Sequence, residues 1–248
     1  VFSSGYMANL GVLNALLNKH DFVLADKLNH ASLVDAAIAS PASVRRFRHK
    51  DVIHLNALLN QSTTHDGGLG LIVTDSVFSM DGDMADLPAL AKISRDSGCL
   101  LVADDAHGLG VLGENGGGAA EYFSLGQEEI PVLIGTFGKA LGCSGAFVAG
   151  SENLIEMIIQ RSRNYIYTTA APPALAVAIG KSIEIVQEGQ ELRSHLQSLI
   201  RYFQKGVSRL PFASAEARPD QFLQFSSDTP IQPVVLGDND LAVRAAAL

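Results

Sequence analysis

Residues 102–118 read VADDAHGLGVLGENGGG: the end of an apolar run, then Asp104, Asp105 and His107, then a spray of glycines. Within it, GLGVLG at 108–113 fits the GxGxxG spelling of a dinucleotide-binding turn. That turn needs its first glycine close after a strand and its last at the opening of a helix whose N-terminus holds the pyrophosphate. Here Asp-Asp-Ala-His intervenes before Gly108, and the helix-hostile Glu-Asn-Gly-Gly-Gly follows Gly113. The nicotinamide or flavin reading fails on this context, and 113–118 reads as a flexible loop. Asp104 is the more informative residue. In an open parallel sheet, ligands bind just beyond the carboxyl ends of the strands, and Asp104 follows the apolar run Cys99–Ala103.

Working outward, similar apolar runs recur at Phe22–Ala25, Val44–Arg48, Leu69–Asp75, Pro131–Gly135 and Gly145–Ala149. Helical patterns alternate with them: Gly5 to about Lys19, His30–Ala39, about Asp51–Asn60 and Leu87–Asp96. Continuous apolar runs between helices predict an α/β fold, its mainly parallel sheet covered by helices on both faces. After Pro172-Pro173 a long helical stretch runs to about Leu210, with a break expected near Gly189, followed by strand-like pieces at Gln221–Ser226 and Ile231–Leu236. The expected organisation is a large domain over 1–186 and part of a smaller C-terminal α/β domain over 187–248. Val1-Phe2 stands directly against a helix start, and Val243–Leu248 reads as helix interior. The sequence is therefore read as a piece of a longer protein, lacking both ends.

Of the 248 residues, 47% are hydrophobic and 18% charged, enough for a sizeable core and against wholesale disorder. The net charge of −8 argues against a general nucleic-acid binder, which needs clustered cations. The one cationic cluster, Arg45–Lys50, reads as the polar side of a strand and its exit. Two cysteines, Cys99 and Cys143, suit free thiols in a reducing compartment better than a disulfide scaffold. No apolar run reaches membrane-spanning length, and a cytoplasmic protein is expected.

Alone, Asp104 and His107 could be a turn cap and a space-filler. A second strand end changes that. GTFGKALG at 135–142 follows the run Pro131–Gly135 and delivers Lys139, flanked by glycines, to the same edge of the sheet. This is how a Schiff-base lysine is presented to a carbonyl cofactor, whereas an ordinary lysine simply lies on the surface. Pyridoxal 5'-phosphate (PLP) needs such an amine, together with a carboxylate that keeps its pyridine nitrogen protonated. Its phosphate needs amides at a helix start, and Ser3-Ser4-Gly5-Tyr6-Met7 can supply them.

Six stretches carry a resemblance over nearly the whole chain: FSSGYMAN (2–9), NHASL (29–33), SVFSMDGD (76–83), DDAHG (104–108), GTFGKALG (135–142) and SDTPIQP (227–233). In this order they resemble the α-oxoamine synthases, PLP enzymes of the fold-type I (aspartate aminotransferase-like) class. The resemblance implies that Lys139 carries the cofactor and moves the substrate's α-proton. Asp104, rather than Asp105, is implied as the pyridine-nitrogen partner, His107 as the residue bonding the phenolic oxygen, and His30 as the ring stacked on the cofactor. Ser79 and Thr136 match polar residues around the phenolic oxygen and phosphate, and Gly5 and Tyr6 match the phosphate-side turn. Thr168 or Thr169 resembles the segment that reaches the phosphate of a neighbouring subunit, which implies a homodimer with shared sites. No metal is implied.

The family's chemistry is the decarboxylative condensation of an amino acid with an acyl thioester. The wording GTFGKALGCSGAFVAGS (135–151), with SDTPIQP, is most similar to the members that make the 8-amino-7-oxononanoate of biotin biosynthesis. This implies L-alanine and pimeloyl-CoA or pimeloyl-ACP as partners. A buried Lys139, shedding its proton easily, would suit the base role. The alternatives are another family member such as glycine C-acetyltransferase, a PLP enzyme of another reaction type, or a catalytically incomplete α/β fragment.

Overall fold

The structure is a computed structural model that describes residues 1–62, 68–209, 223–224 and 227–247. The chain divides into two units, Val1–Val77 with Met84–Gln190, and Phe78–Asp83 with Glu191–Leu248. In the first unit the elements are α1 (Gly5–Leu16), β1 (Phe22–Asp26), α2 (Ala31–Ala39), β2 (Ser43–Phe47), α3 (Val52–Gln61), β3 (Gly70–Asp75) and α4 (Leu87–Ser97). They continue with β4 (Leu100–Asp104), α5 (Ala119–Tyr122), β5 (Val132–Thr136), β6 (Ala146–Ala149), α6 (Glu152–Arg161), α7 (Arg163–Ile166) and α8 (Pro173–Glu188). The second unit carries α9 (Gln190–Val207), β7 (Leu223–Gln224), β8 (Val234–Val235) and α10 (Asn239–Ala246).

The first unit is built on a six-stranded sheet in the order β2-β1-β3-β4-β5-β6. The first five strands run parallel and β6 is antiparallel to β5. Every residue of β1 and β3 is buried, as the continuous apolar runs predict, whereas the edge strand β2 exposes its arginines. The cationic cluster at 45–50 is thus the outer side of an edge strand and its exit. The turn from β5 to β6 is too short for the crossover a parallel pair requires, so β6 returns antiparallel.

Local sequence explains the helix limits. Ser4, Asp51, Asp86 and Ser151 each accept a backbone amide of the first turn, an N-cap worth about 1 kcal/mol. α4 buries Leu87, Leu90, Ala91 and Ser94, one face at helical spacing, and stops at Gly98, whose φ of 68° is left-handed. α1 packs its buried face, including Val12, Leu13 and Leu16, into a cluster with Leu33 and Ala36 of α2 and Val23, Leu71 and Val102 of the sheet. Helices α5, α6 and α7 went unread in the sequence. The signal for α6 was there, in Ser151 as cap followed by Leu154, Ile155 and Ile158.

In the second unit, Ser227 Oγ donates to Gly82 O at 2.6 Å and Thr229 Oγ1 to the same carbonyl at 2.8 Å. This joins the 78–83 segment to the SDTPIQP stretch. The helical break expected near Gly189 is present, between α8 and α9. Of the predicted strand at 221–226, residues 221–222 and 225–226 lie outside the described residues. Among the described residues no helix is long and apolar enough to cross a membrane.

Candidate functional site

The sheet order reverses at β1, with β2 on one side and β3 on the other, and the candidate residues gather at the strand ends from this point onward. His30 follows β1, Asp75 ends β3, Asp104 ends β4, and Lys139 follows β5. Asp75 and Asp104 are register partners in the parallel ladder.

Asp104 is 5% exposed. Its Oδ1 accepts the Ala106 amide at 3.0 Å and its Oδ2 accepts Asn9 Nδ2 at 2.7 Å. Burial pushes its carboxyl above the usual range, while the bonds from Asn9 and Ala106 and the charge of Lys139 oppose the rise. Asp105, next in sequence, has a different task. Its carboxylate accepts the Ser76 hydroxyl and, at 2.8 Å, the Ala119 amide, so it ties β3 and the start of α5 to β4. Burial lifts it to about 7 against these bonds.

The glycine-rich stretch is not the flexible loop expected from composition. Gly110 N donates to Gly116 O at 2.8 Å and Gly118 N to Leu112 O at 3.0 Å. The Glu121 carboxylate accepts the Asn115 amide at 3.0 Å and the Gly117 amide at 2.7 Å. The glycines let backbone approach Asp105 and Glu121 closely, and this bonding closes the loop. No helix opens at Gly113; the next begins at Ala119.

His30 is the N-cap of α2. Its Nδ1 accepts the Ser32 amide at 3.2 Å, and its own amide donates to Asp75 Oδ2 at 2.6 Å. His107 is half-buried, and burial together with the Lys139 charge lowers it to about 4, so its ring is neutral at physiological pH. Lys139 sits in the turn from β5 to β6, between the exposed Gly138 and Ala140, and is itself exposed. The buried lysine expected from the sequence is corrected here: Phe137 and Leu141 turn inward and leave Lys139 at the crest. Thr136 braces that turn, its hydroxyl donating to Gly145 O at 3.1 Å and accepting the Gly138 amide at 3.2 Å.

Gly5 and Tyr6 form the first turn of α1, where amides have no carbonyl one turn back and favour an anion. The Tyr6 hydroxyl donates to Asp35 Oδ2 at 2.9 Å. Thr168 and Thr169 are exposed and line a cleft of about 880 Å³ with Ser3, Phe137 and Gly145. Ser79 belongs to the second unit.

Asp75, Asn9, Asn29 and Ser32 were not singled out in the sequence. Asn29 Nδ2 donates to Val73 O at 2.9 Å and its Oδ1 accepts the Asp75 amide at 3.1 Å, so β1 and β3 are tied at their carboxyl ends. Burial, and secondarily the Asp104 charge, raises Asp75 to about 8. The donor set fits PLP. A buried carboxylate with lone pairs to spare suits a protonated ring nitrogen, an amine stands at the neighbouring strand end, and a helix N-terminus suits a phosphate.

The aminotransferase class I and II family matches residues 1–245. The chain belongs to that family. Its fold is the fold-type I architecture, and this aminotransferase class I and II chain has similar sequences and structures among known enzymes. It is 50% identical over 248 residues to an 8-amino-7-oxononanoate synthase of Pseudomonas putida strain KT2440, covering 100% of this chain and 60% of that protein. The chain thus spans 60% of the length of that curated relative. The crystal structure of an 8-amino-7-oxononanoate synthase from Francisella tularensis matches with a TM-score of 0.79 at 35% identity, over 98% of this chain and 67% of that one. A serine palmitoyltransferase from S. paucimobilis with a bound PLP–myriocin aldimine matches with a TM-score of 0.82 at 30% identity, over 98% and 59%.

Proposed function

We propose that the protein condenses L-alanine with a pimeloyl thioester, on coenzyme A or an acyl carrier protein, to give 8-amino-7-oxononanoate, carbon dioxide and the free thiol. The carrying observation is the pairing of a buried Asp104 with Lys139 at adjacent strand ends, in a chain 50% identical throughout to an enzyme of that name. In this reading residues 1–186 form the large cofactor domain and 187–248 part of the small domain.

PLP, when bound, supplies the electron sink that stabilises a carbanion at the α-carbon of alanine. Asp104 holds the ring nitrogen protonated, and Asn9 and Ala106 hold Asp104 in place. Lys139 Nζ anchors the cofactor and then takes the α-proton. Its exposed position on a glycine-flanked turn leaves it free to exchange between the two tasks. A neutral His107 would be the donor for the cofactor's phenolic oxygen, and His30 would be the residue that stacks on its ring. The Gly5 and Tyr6 amides would hold the phosphate side, with Thr136 near the phosphate or the phenolic oxygen. Thr168 or Thr169 reaches the site of a second copy in a homodimer. In the net reaction the α-carbon of alanine bonds to the acyl carbon, the thiolate leaves that carbon, the carboxyl group departs as carbon dioxide, and a proton takes its place on the α-carbon.

Borohydride reduction of the full-length protein in the presence of PLP, followed by peptide mapping, tests the site. A reduced adduct on Lys139 is expected; no adduct, or one elsewhere, overturns the reading. The similarity to serine palmitoyltransferase structures supports a second reading, a different amino acid and acyl chain. Assays of alanine, glycine and serine against several acyl thioesters separate the two. Turnover confined to alanine with a pimeloyl thioester is expected.

A further inference from the structure

Asp104 and His30 are joined by an unbroken run of hydrogen bonds through Asn9 and Ser32, and the proposed chemistry uses only its first link, Asn9 on Asp104. Asn9, on α1, is 0% exposed. Its Nδ2 has two protons and places both, one on Asp104 Oδ2 at 2.7 Å and one on Ser32 Oγ at 2.9 Å. Ser32 Oγ in turn lies 2.7 Å from His30 Nδ1. We infer that Asn9 and Ser32 are positioning residues that carry the orientation set by the Asp104 carboxylate to the His30 ring, fixing the tautomer with its proton on Nε2.

Each link has one satisfactory direction. Turning the Asn9 amide over would set its Oδ1 against the Asp104 carboxylate, acceptor against acceptor. The amide therefore keeps its NH2 on Asp104, although buried Oδ1 then has no partner among the described residues. Ser32 Oγ already receives one Asn9 proton, and its own proton has no other acceptor among the described residues than His30 Nδ1. The Ser32 backbone amide also points at Nδ1, at 3.2 Å. A proton on Nδ1 would face that N–H donor directly, so Nδ1 is the acceptor and Nε2 carries the hydrogen.

The two register-paired aspartates thus hold one histidine from two sides. Asp75 Oδ2 takes the His30 backbone amide, and Asp104, through Asn9 and Ser32, sets the ring. The use of this arrangement rests on the cofactor reading, in which His30 lies on the ring whose nitrogen Asp104 holds. The tautomer itself does not depend on it.

The test is long-range proton–nitrogen NMR on the full-length protein labelled with nitrogen-15 histidine, with and without PLP, the His30 signals being assigned by their loss in His30→Gln. Without PLP, a pyridine-like Nδ1 and a pyrrole-like Nε2 are expected. Ser32→Ala is expected to move both nitrogens toward the average of the two tautomers, and Ser32→Thr to restore them. A pyrrole-like Nδ1 in the unmodified protein overturns the inference, as does a Ser32→Ala spectrum identical to it. If Ser32→Ala fails to fold, Asn9→Ala is read in the same way, because the Ser32 backbone amide alone would give the unmodified spectrum. Because this measurement needs no cofactor, loss of borohydride trapping at Lys139 sinks the cofactor reading alone, and the wrong tautomer sinks only the relay.

Discussion

Asp75 and Asp104 stand side by side at the carboxyl ends of β3 and β4, paired in register, and both are nearly closed to solvent. Two like charges so placed cannot both be ionised cheaply. Asp104 has Asn9 and Ala106 as donors, whereas Asp75 has the His30 amide at 2.6 Å. Asp75 is the partner that keeps its proton, up to about pH 8.

A stability slope follows from this. The folded Asp75 holds its proton to about pH 8, while the unfolded carboxyl releases it near 3.8. Between those values the folded state binds more protons, so stability present at low pH is lost as pH rises toward 8. Asp75→Asn removes that slope and can still accept the His30 amide. Urea unfolding at pH 5 and pH 9 is expected to show the variant gaining on the unmodified protein at the higher pH. An equal difference at both would contradict the shift.

Replacing Asp104 by Asn keeps an acceptor for Asn9 but removes the charge proposed to hold a ring nitrogen protonated. Borohydride trapping at Lys139 is expected to persist while steady-state condensation falls by about 100-fold or more. Near-normal turnover would remove the electron-sink role from Asp104.

Gly118 has φ 85°, and a Cβ there would lie 1.9 Å from Asp105 Oδ2. Gly98 has φ 68° with nothing within 4 Å of the same atom. Gly98→Ala is expected to cost about 1–2 kcal/mol for the left-handed backbone alone. Gly118→Ala adds the clash and a backbone, φ 85° and ψ −160°, that is essentially open to glycine alone, and is expected to cost about 1–3 kcal/mol more. Equal losses in chemical denaturation would show that the loop moves aside.

Glu121→Ala deletes the acceptor for the Asn115 and Gly117 amides. Hydrogen exchange at those two amides is expected to quicken, with core strand amides such as that of Val102 unchanged. Unchanged exchange at 115 and 117 would return this stretch to a loop held by its turns alone.

Much of the fold was legible because each parallel strand is buried on both faces and so leaves a continuous apolar run. Lys139, Asp104 and His107 were legible for a related reason: each sits within a few residues of such a run, where ligands of open sheets bind. The looseness expected of 113–118 was not borne out, because composition registers glycine but not the Glu121 side chain that gathers its amides. Lys139 was expected buried because burial would suit a base; the inward turn of Phe137 and Leu141 put it on the crest.

By itself the sequence determined the alternation of elements, the residues at the strand ends and the kinship of the chain, all of which are local or ordered along it. The tertiary structure alone decided which aspartate faces which, because register is a relation between strands far apart in sequence. It set Asp75 beside Asp104 and assigned Asp105 to a structural tie. It also brought Asn9, 95 positions away, to within 2.7 Å of Asp104. That bond turns Asn9 and Ser32, two polar residues that the sequence did not single out within their stretches, into the link between Asp104 and His30.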